Sequence, residues 1–230
     1  MDQQKIRISK TKPISDIIQN ESKELAELNQ KPNKKRLFIN CRAEEFVRLV
    51  FLKSNRIFWE RGQKTRFIRD EHNKEIIKQL YYYAIGSDQF KGDLHKGLWF
   101  WSTEFGTGKT TMLQVIREIF NDHNMKSFPL IECKVLHEKI QNYSMEYFQN
   151  RILYFDDIGR EIKDVNMYGT KIRPIPSIIH LREHYGSWTH ATCNRHFEHE
   201  SLKSLYGEVT TNRFKAMFNA IEFKGKTRRK

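Results

Sequence analysis

The chain has 230 residues, 38% of them hydrophobic and 30% charged, and a formal net charge of +13. That length suits one ordinary domain, or one domain with a small extension, and so large a positive excess points to a polyanionic partner, nucleic acid before an acidic membrane surface. Three widely spaced cysteines, Cys41, Cys133 and Cys193, argue against a disulfide framework, and no apolar run approaches the length of a membrane span.

Residues 1–36 are polar and end in the basic run Lys31 to Arg36. The opening Met1 to Ile8 lacks the apolar centre of a signal peptide, so the expectation is a cytoplasmic protein without a membrane segment. Ile14, Ile17, Ile18, Leu25 and Leu28 allow one weakly amphipathic helix, within what is either a solvated basic arm or a docking segment. Residues 37–70 follow as an accessory segment for partner docking, with helical spacing over Ala43 to Phe51 and a polar turn near Gly62. From Glu71 to Ile85, Ile76, Ile77, Leu80, Tyr81 and Ala84 form an apolar helical stripe. Tyr81, Tyr82 and Tyr83 are consecutive, so on a helix they point in three directions, which suits packing better than a base-stacking platform.

Gly97-Leu-Trp-Phe-Trp101 reads as a buried strand, and Met112, Leu113, Ile116, Ile119 and Phe120 as a helix. Between them lies Ser102-Thr-Glu-Phe105-Gly106-Thr107-Gly108-Lys109-Thr110-Thr111. A strand, a glycine-containing loop, Gly-Lys-Thr and a helix form the arrangement that cradles nucleotide phosphates. Gly106 and Gly108 let backbone N–H groups turn toward anionic oxygens, and the helix N-terminus adds its positive dipole end. Lys109 is placed to reach the β- and γ-phosphates of ATP, and the Thr110 hydroxyl to ligate Mg²⁺. The usual pattern opens with glycine, where this chain has Thr103.

Further strands are expected over Ser127 to Glu132, Arg151 to Phe155, Trp188 to Cys193 and Ala220 to Phe223. Helices are expected over Val135 to Ile140 and Ser177 to His184, with two more before the last strand, a polar loop over 160–174 and a basic tail over 224–230. Alternating strands and helices give an α/β fold with a mostly parallel five-stranded sheet. Asp156 and Asp157 follow the Arg151 to Phe155 strand, at the carboxyl end where α/β proteins place ligand chemistry. Asp156 suits Mg²⁺ binding and Asp157 the polarising of a water, although paired acids also make ordinary turns and caps.

Two patterns resemble zinc sites: His180-Leu-Arg-Glu183-His184, and His190, Cys193, His196 and His199 at intervals of three. The first lacks a third ligand, and period-three spacing along a strand does not converge side chains on one face. Neither is taken as a metal centre.

With these motifs in place, the chain from about residue 71 to 223 resembles the AAA+ P-loop ATPases. Within them it looks like the bacterial helicase-loader group (DnaC and DnaI type), related to the IstB transposition helper. Phe105 to Thr110 resembles the Walker A loop, and Leu153 to Gly159 the Walker B strand. Ala191-Thr-Cys-Asn194 resembles the sensor strand, whose Asn194 contacts the γ-phosphate or the attacking water. Leu205 to Glu208 with Asn212-Arg213-Phe214 resembles the segment bearing an arginine finger. Asp157 stands where many relatives carry Glu, and Val209 where loaders often carry an additional Arg.

The resemblance implies an ATPase domain over 71–230 without a helical lid, and slow, DNA-stimulated hydrolysis of ATP with Mg²⁺. It implies self-association in which Arg213 completes a neighbour's site in trans; a structural helix-end charge is the other role open to Arg213. The implied partners are DNA, single-stranded in preference, and a replicative hexameric helicase. The alternatives are a transposition helper that recruits a transposase on duplex DNA, and an ATP-gated DNA-binding scaffold with negligible hydrolysis.

Overall fold

The computed structural model describes residues 36–167, 169–225 and 227, which belong to one compact unit. The helix expected over 14–28 and most of the basic arm lie outside the described residues, as does part of the basic tail.

Two helices come first, α1 (Ala43–Glu60) and α2 (Glu71–Ile85). Strand β1 (Gly97–Trp101) leads through the glycine loop into α3 (Lys109–Asn124) and β2 (Leu130–Glu132). A 3₁₀ turn (Cys133–Val135), α4 (Leu136–Asn142) and α5 (Met145–Gln149) precede β3 (Leu153–Ile158). A hairpin, β4 (Val165–Met167) and β5 (Thr170–Ile172), is followed by α6 (Pro174–His184) and β6 (Thr189–Cys193). Helices α7 (Glu200–Tyr206) and α8 (Glu208–Met217) then return the chain to β7 (Phe218–Glu222).

The main sheet has the order β2-β3-β6-β1-β7, and every pairing in it is parallel. A fully parallel sheet must be covered on both faces, and the alternation along β1 accomplishes this. Leu98 and Phe100 enter one core with Phe46, Leu80 and Ile116 from α1, α2 and α3. Trp99 enters the other with Ile178 of α6 and Phe214 of α8. Successive side chains of a strand face opposite ways, so Gly97-Leu-Trp-Phe-Trp101 serves two cores at once. Each fully buried ring contributes roughly 1.5–3 kcal/mol. Gly97 itself is required by close approach: a Cβ there would lie 1.6 Å from the Thr189 carbonyl oxygen of β6.

Helix α1 runs well beyond the 43–51 stretch that its apolar spacing predicts. The apolar pattern is interrupted by Lys53, Ser54, Asn55 and Arg56, and partners distant in sequence carry the helix through. Lys53 is buried, with its ammonium 2.5 Å from Asp122 and 3.7 Å from Glu118 on α3, and Arg56 meets Glu118 at 2.6 Å. Residues 37–70 therefore pack into the same core as the rest of the unit. The stretch expected as a strand over 127–132 pairs only from Leu130. Pro129 has no N–H, and the Phe128 N–H donates to the Asn121 side chain at 2.9 Å instead of to a ladder. The region expected as a loop over 160–174 contains the β4–β5 hairpin, joined by Val165–Ile172 and Met167–Thr170 pairing.

Candidate functional site: the glycine loop and the carboxyl end of the sheet

The loop leaves β1 at Trp101 and enters α3 at Lys109. Gly106 (φ 72°) and Gly108 (φ 100°) occupy left-handed backbone, which explains glycine at both. Thr103 is not among the positive-φ residues, so its backbone is one that any L-residue adopts, and the missing first glycine costs the loop nothing conformationally. Helix α3 starts at Gly108 with no side-chain cap and no acid in its first turn. Its leading N–H groups are thus left for an anion.

Lys109 is buried, and its ammonium donates to the Glu104 carbonyl at 3.2 Å across the loop. Thr110 donates from Oγ1 to Asp156 Oδ1 at 2.9 Å, bringing the first turn of α3 onto the end of β3. Thr107 has a buried hydroxyl oxygen with no hydrogen-bond partner. Phe105 is exposed at the loop, with the Arg160 guanidinium 5.8 Å from its ring centroid.

Between Phe155 and Ile158 the pairing of β3 with β6 shifts register, and Asp157 takes φ +64° inside this irregularity. A non-glycine residue in that region carries a cost that its surroundings must hold in place. Here the Asp157 N–H donates to Thr192 Oγ1 at 2.7 Å, and Asn194 Nδ2 donates to Asp157 Oδ1 at 3.2 Å. Thr192 in turn donates to Asp156 Oδ1 at 2.6 Å. Burial raises the Asp156 carboxyl above its usual range, hydrogen bonds from Thr192 and Thr110 oppose the shift, and the Asp157 and Glu132 charges add to it.

These residues fit a magnesium nucleotide. A carboxylate and a hydroxyl converge, and Mg²⁺ is commonly held by one or two carboxylates together with phosphate oxygens. The buried, unpaired Thr107 hydroxyl and the uncapped N-terminus of α3 supply hydrogen-bonding capacity in the same loop.

Known sequence families give no match to the chain, and neither do curated protein sequences. Solved structures do. The DnaC helicase loader aligns with a TM-score of 0.51 and 17% identity, covering 70% of this chain and 95% of that one. DnaI aligns with a TM-score of 0.53 and 20% identity, covering 71% of this chain and 87% of that one. The chain shares the fold of the DnaC helicase loader and of DnaI.

Within this fold, Lys109, Thr110, Asp156, Asp157 and Asn194 are brought to one end of the sheet. Arg213 is not with them. It lies on α8, which runs toward β7, and its Nε is 3.5 Å from Glu183 near the end of α6. Helix α6 finishes next to the start of β6, so this pair is held toward the amino ends of the strands, away from the loop of its own chain.

Thr192 was invisible as a site residue in the sequence. Its one signal is a polar side chain in a strand buried at every position. Another missed element is Glu161, which accepts from the Tyr206 hydroxyl and from the Gly159 N–H, the latter at 2.9 Å, and so ties the segment after β3 to α7.

The two zinc-like patterns are dispersed. On α6, His180, Glu183 and His184 are exposed while Arg182 is buried. In the second set His190 is buried on β6, Cys193 Sγ bonds the Ile158 carbonyl at 3.2 Å, His196 packs edge-on to Trp101, and His199 caps α7. Among the described residues no three His, Cys, Asp or Glu side chains gather into a metal-binding group. No helix among them is long and apolar enough to cross a membrane.

Proposed function

We propose that this chain is an ATPase of DNA replication that binds single-stranded DNA and loads or remodels a hexameric replicative helicase. The observation that carries the proposal is the joining of the glycine loop to the β3 carboxylates on a backbone shared with the DnaC helicase loader and DnaI. The net charge of +13 supports a polyanionic partner.

In this reading the loop from Phe105 to Thr111 surrounds the phosphates, with Lys109 released from the Glu104 carbonyl to reach the β- and γ-oxygens. Thr110 and Asp156 hold Mg²⁺. Bound Mg²⁺·ATP supplies a γ-phosphoryl group for transfer to water. Asp157 orients that water, and Asn194 holds the Asp157 carboxylate or the water itself. Asp157 is one methylene shorter than Glu, consistent with slow turnover.

Arg213 serves a neighbouring subunit, where its charge stabilises the transferring phosphoryl group. Its position within its own chain supports this, since it pairs with Glu183 at the other end of the sheet. Residues 1–36 act as a basic arm, 37–70 as the segment that meets partners, and 71–230 as the ATPase domain. A cytoplasmic location follows from this role.

The test is helicase loading by the full chain onto a single-stranded circle, with ATP turnover measured alongside. DNA-stimulated turnover lost in Lys109→Ala supports the ATPase. Binding of ATP without turnover would leave the gated scaffold. Recruitment of a transposase on duplex DNA, with no effect on a helicase, would point to the transposition helper.

A further inference from the structure

The segment joining α1 to α2 runs Arg61-Gly-Gln-Lys-Thr-Arg-Phe-Ile-Arg69, with four cations and no acid. It has no regular secondary structure beyond a turn at Arg61 and Gly62, yet it is held in place at several points. The Phe67 N–H donates to Asn55 Oδ1 of α1 at 2.8 Å, and Asn73 Nδ2 of α2 donates to the Ile68 carbonyl at 2.8 Å. The Phe67 ring meets Phe51 edge-on, with centroids 5.1 Å apart.

Burial alternates along it. Thr65 and Phe67 are half-buried, whereas Lys64, Arg66 and Ile68 are exposed. Period-two alternation puts Lys64, Arg66 and Ile68 on one outward face, and Arg69, where the alternation ends, is exposed as well. In extended chain, residues two apart are separated by roughly 6.6 Å. That is close to twice the rise of about 3.4 Å per nucleotide along one stacked strand. Immediately before the segment, Trp59 is 78% exposed at the end of α1. A large aromatic left in water, followed a few residues on by a run of exposed cations, is what a single strand uses: phosphates on the charges, a base on the ring.

We propose that Trp59, Lys64, Arg66 and Arg69 form a binding strip for single-stranded DNA. The strip rests on the ATPase reading above and locates its DNA contact. Because side-chain bonds from both flanking helices already hold the segment at Phe67 and Ile68, binding loses little conformational entropy. The segment's first residue also reaches the helix that follows the nucleotide loop. Arg61 donates to Gln114 Oε1 at 2.7 Å and to Thr111 Oγ1 at 3.4 Å, so the start of the segment that carries the strip grips the first two turns of α3. A strand bound there acts on the helix that carries Thr110.

The experiment measures fluorescence anisotropy of a labelled oligothymidylate of about twenty nucleotides with the full chain across a salt series. The Lys64→Ala/Arg66→Ala/Arg69→Ala variant should lower affinity at least tenfold and reduce the slope of log K against log salt by about 2. Trp59→Ala should cost about tenfold on single strands and little on a duplex, whose bases offer no free face, while Trp59→Phe restores binding. DNA-free ATP turnover and melting temperature should stay at wild-type values in all of them.

Unchanged affinity and salt slope in the triple variant would overturn the strip and leave the ATPase reading intact. Equal losses on duplex and single strand in Trp59→Ala would remove base stacking from it. A wild-type chain that ignores oligothymidylate but binds phosphatidylserine vesicles would sink both the strip and the single-stranded DNA half of the function.

Discussion

Thr192 donates its hydroxyl proton to Asp156 Oδ1 at 2.6 Å and accepts the Asp157 N–H at 2.7 Å. One hydroxyl on β6 thereby fixes both acids at the end of β3, the second of them in left-handed backbone. Thr192→Val keeps the shape of the side chain and removes this link. It leaves the partly buried Asp157 N–H without its acceptor, which costs about 1 kcal/mol of stability. ATP turnover by the variant should fall at least tenfold, about 1.4 kcal/mol in the barrier. Turnover at the wild-type level would show that the strained Asp157 geometry is irrelevant to the chemistry.

Arg213 and Lys109 should complement each other in mixtures. Under the proposed function, Lys109→Ala removes the ammonium assigned to the phosphates and Arg213→Ala the group assigned to a neighbour, so each alone should lose at least about a hundredfold in turnover. Mixed subunits recreate complete interfaces in which one chain supplies Lys109 and the next supplies Arg213. Recovered turnover on mixing, read by phosphate release, supports action in trans; a mixture as inactive as its parts would remove it. Glu183→Gln is the control for a purely structural ion pair. It breaks the 3.5 Å contact with Arg213 and should leave turnover unchanged.

Arg182 is buried and its bonds go to neutral oxygens. It donates to the Arg151 and Trp188 carbonyls at 2.9 and 2.7 Å, to Thr189 Oγ1 at 2.9 Å and to the Phe148 carbonyl. Burial lowers its pKa to about 9. One side chain thus gathers α5, the segment before β3 and the start of β6. Arg182→Ala strands those oxygens and opens a cavity, for an expected loss of about 3–5 kcal/mol. Urea unfolding measures it. A loss below about 1 kcal/mol would mean that water replaces the guanidinium without penalty.

His190 should make the protein acid-sensitive. It is buried on β6, with Nδ1 accepting from the Leu98 N–H at 3.2 Å, and its ring stacks on Tyr154. Burial first, then the charges of Arg36 and Arg182, push its pKa well below the ordinary value. The unfolded chain takes up a proton at this site below about pH 6.5, and the folded chain does not. The stability contributed by the neutral ring is therefore present above about pH 6.5 and is lost as pH falls below it, by at most about 1.4 kcal/mol per unit. Unfolding free energies between about pH 7.5 and 5 should show a steeper acid loss in the wild type than in His190→Phe. Parallel slopes would assign the acid sensitivity to other groups.

Much of the fold is legible along the chain because its signals are local. The apolar stripe of α2 is bounded by Asp70, which caps it through Asn73 N, and by Gly86 at φ 73°, so both its ends can be read from residue types. All five strands of the main sheet are expected from the sequence without knowing their order, although β6, Thr189-His-Ala-Thr-Cys193, is buried at every position and largely polar. Helix α1 and the β4–β5 hairpin are less legible for a shared reason. Lys53 belongs in a buried helix face only because Asp122 and Glu118 arrive from α3, and the Val165–Ile172 pairing depends on a partner strand with no strong apolar pattern.

By itself the sequence determined the parallel α/β plan, the glycine loop before α3 and the paired acids, which the structure places inside β3 where the sequence had the strand end at Phe155, since each rests on neighbours a few residues apart. Only the tertiary structure decided what surrounds them. It seated Thr103 in ordinary backbone, tied Asp156 and Asp157 to Thr192, held Arg213 away from its own loop, and left Trp59, Lys64 and Arg66 exposed. Those outcomes depend on which strands lie side by side and which helix ends meet. That is set by burying two cores on one sheet, a global requirement that no local spacing records.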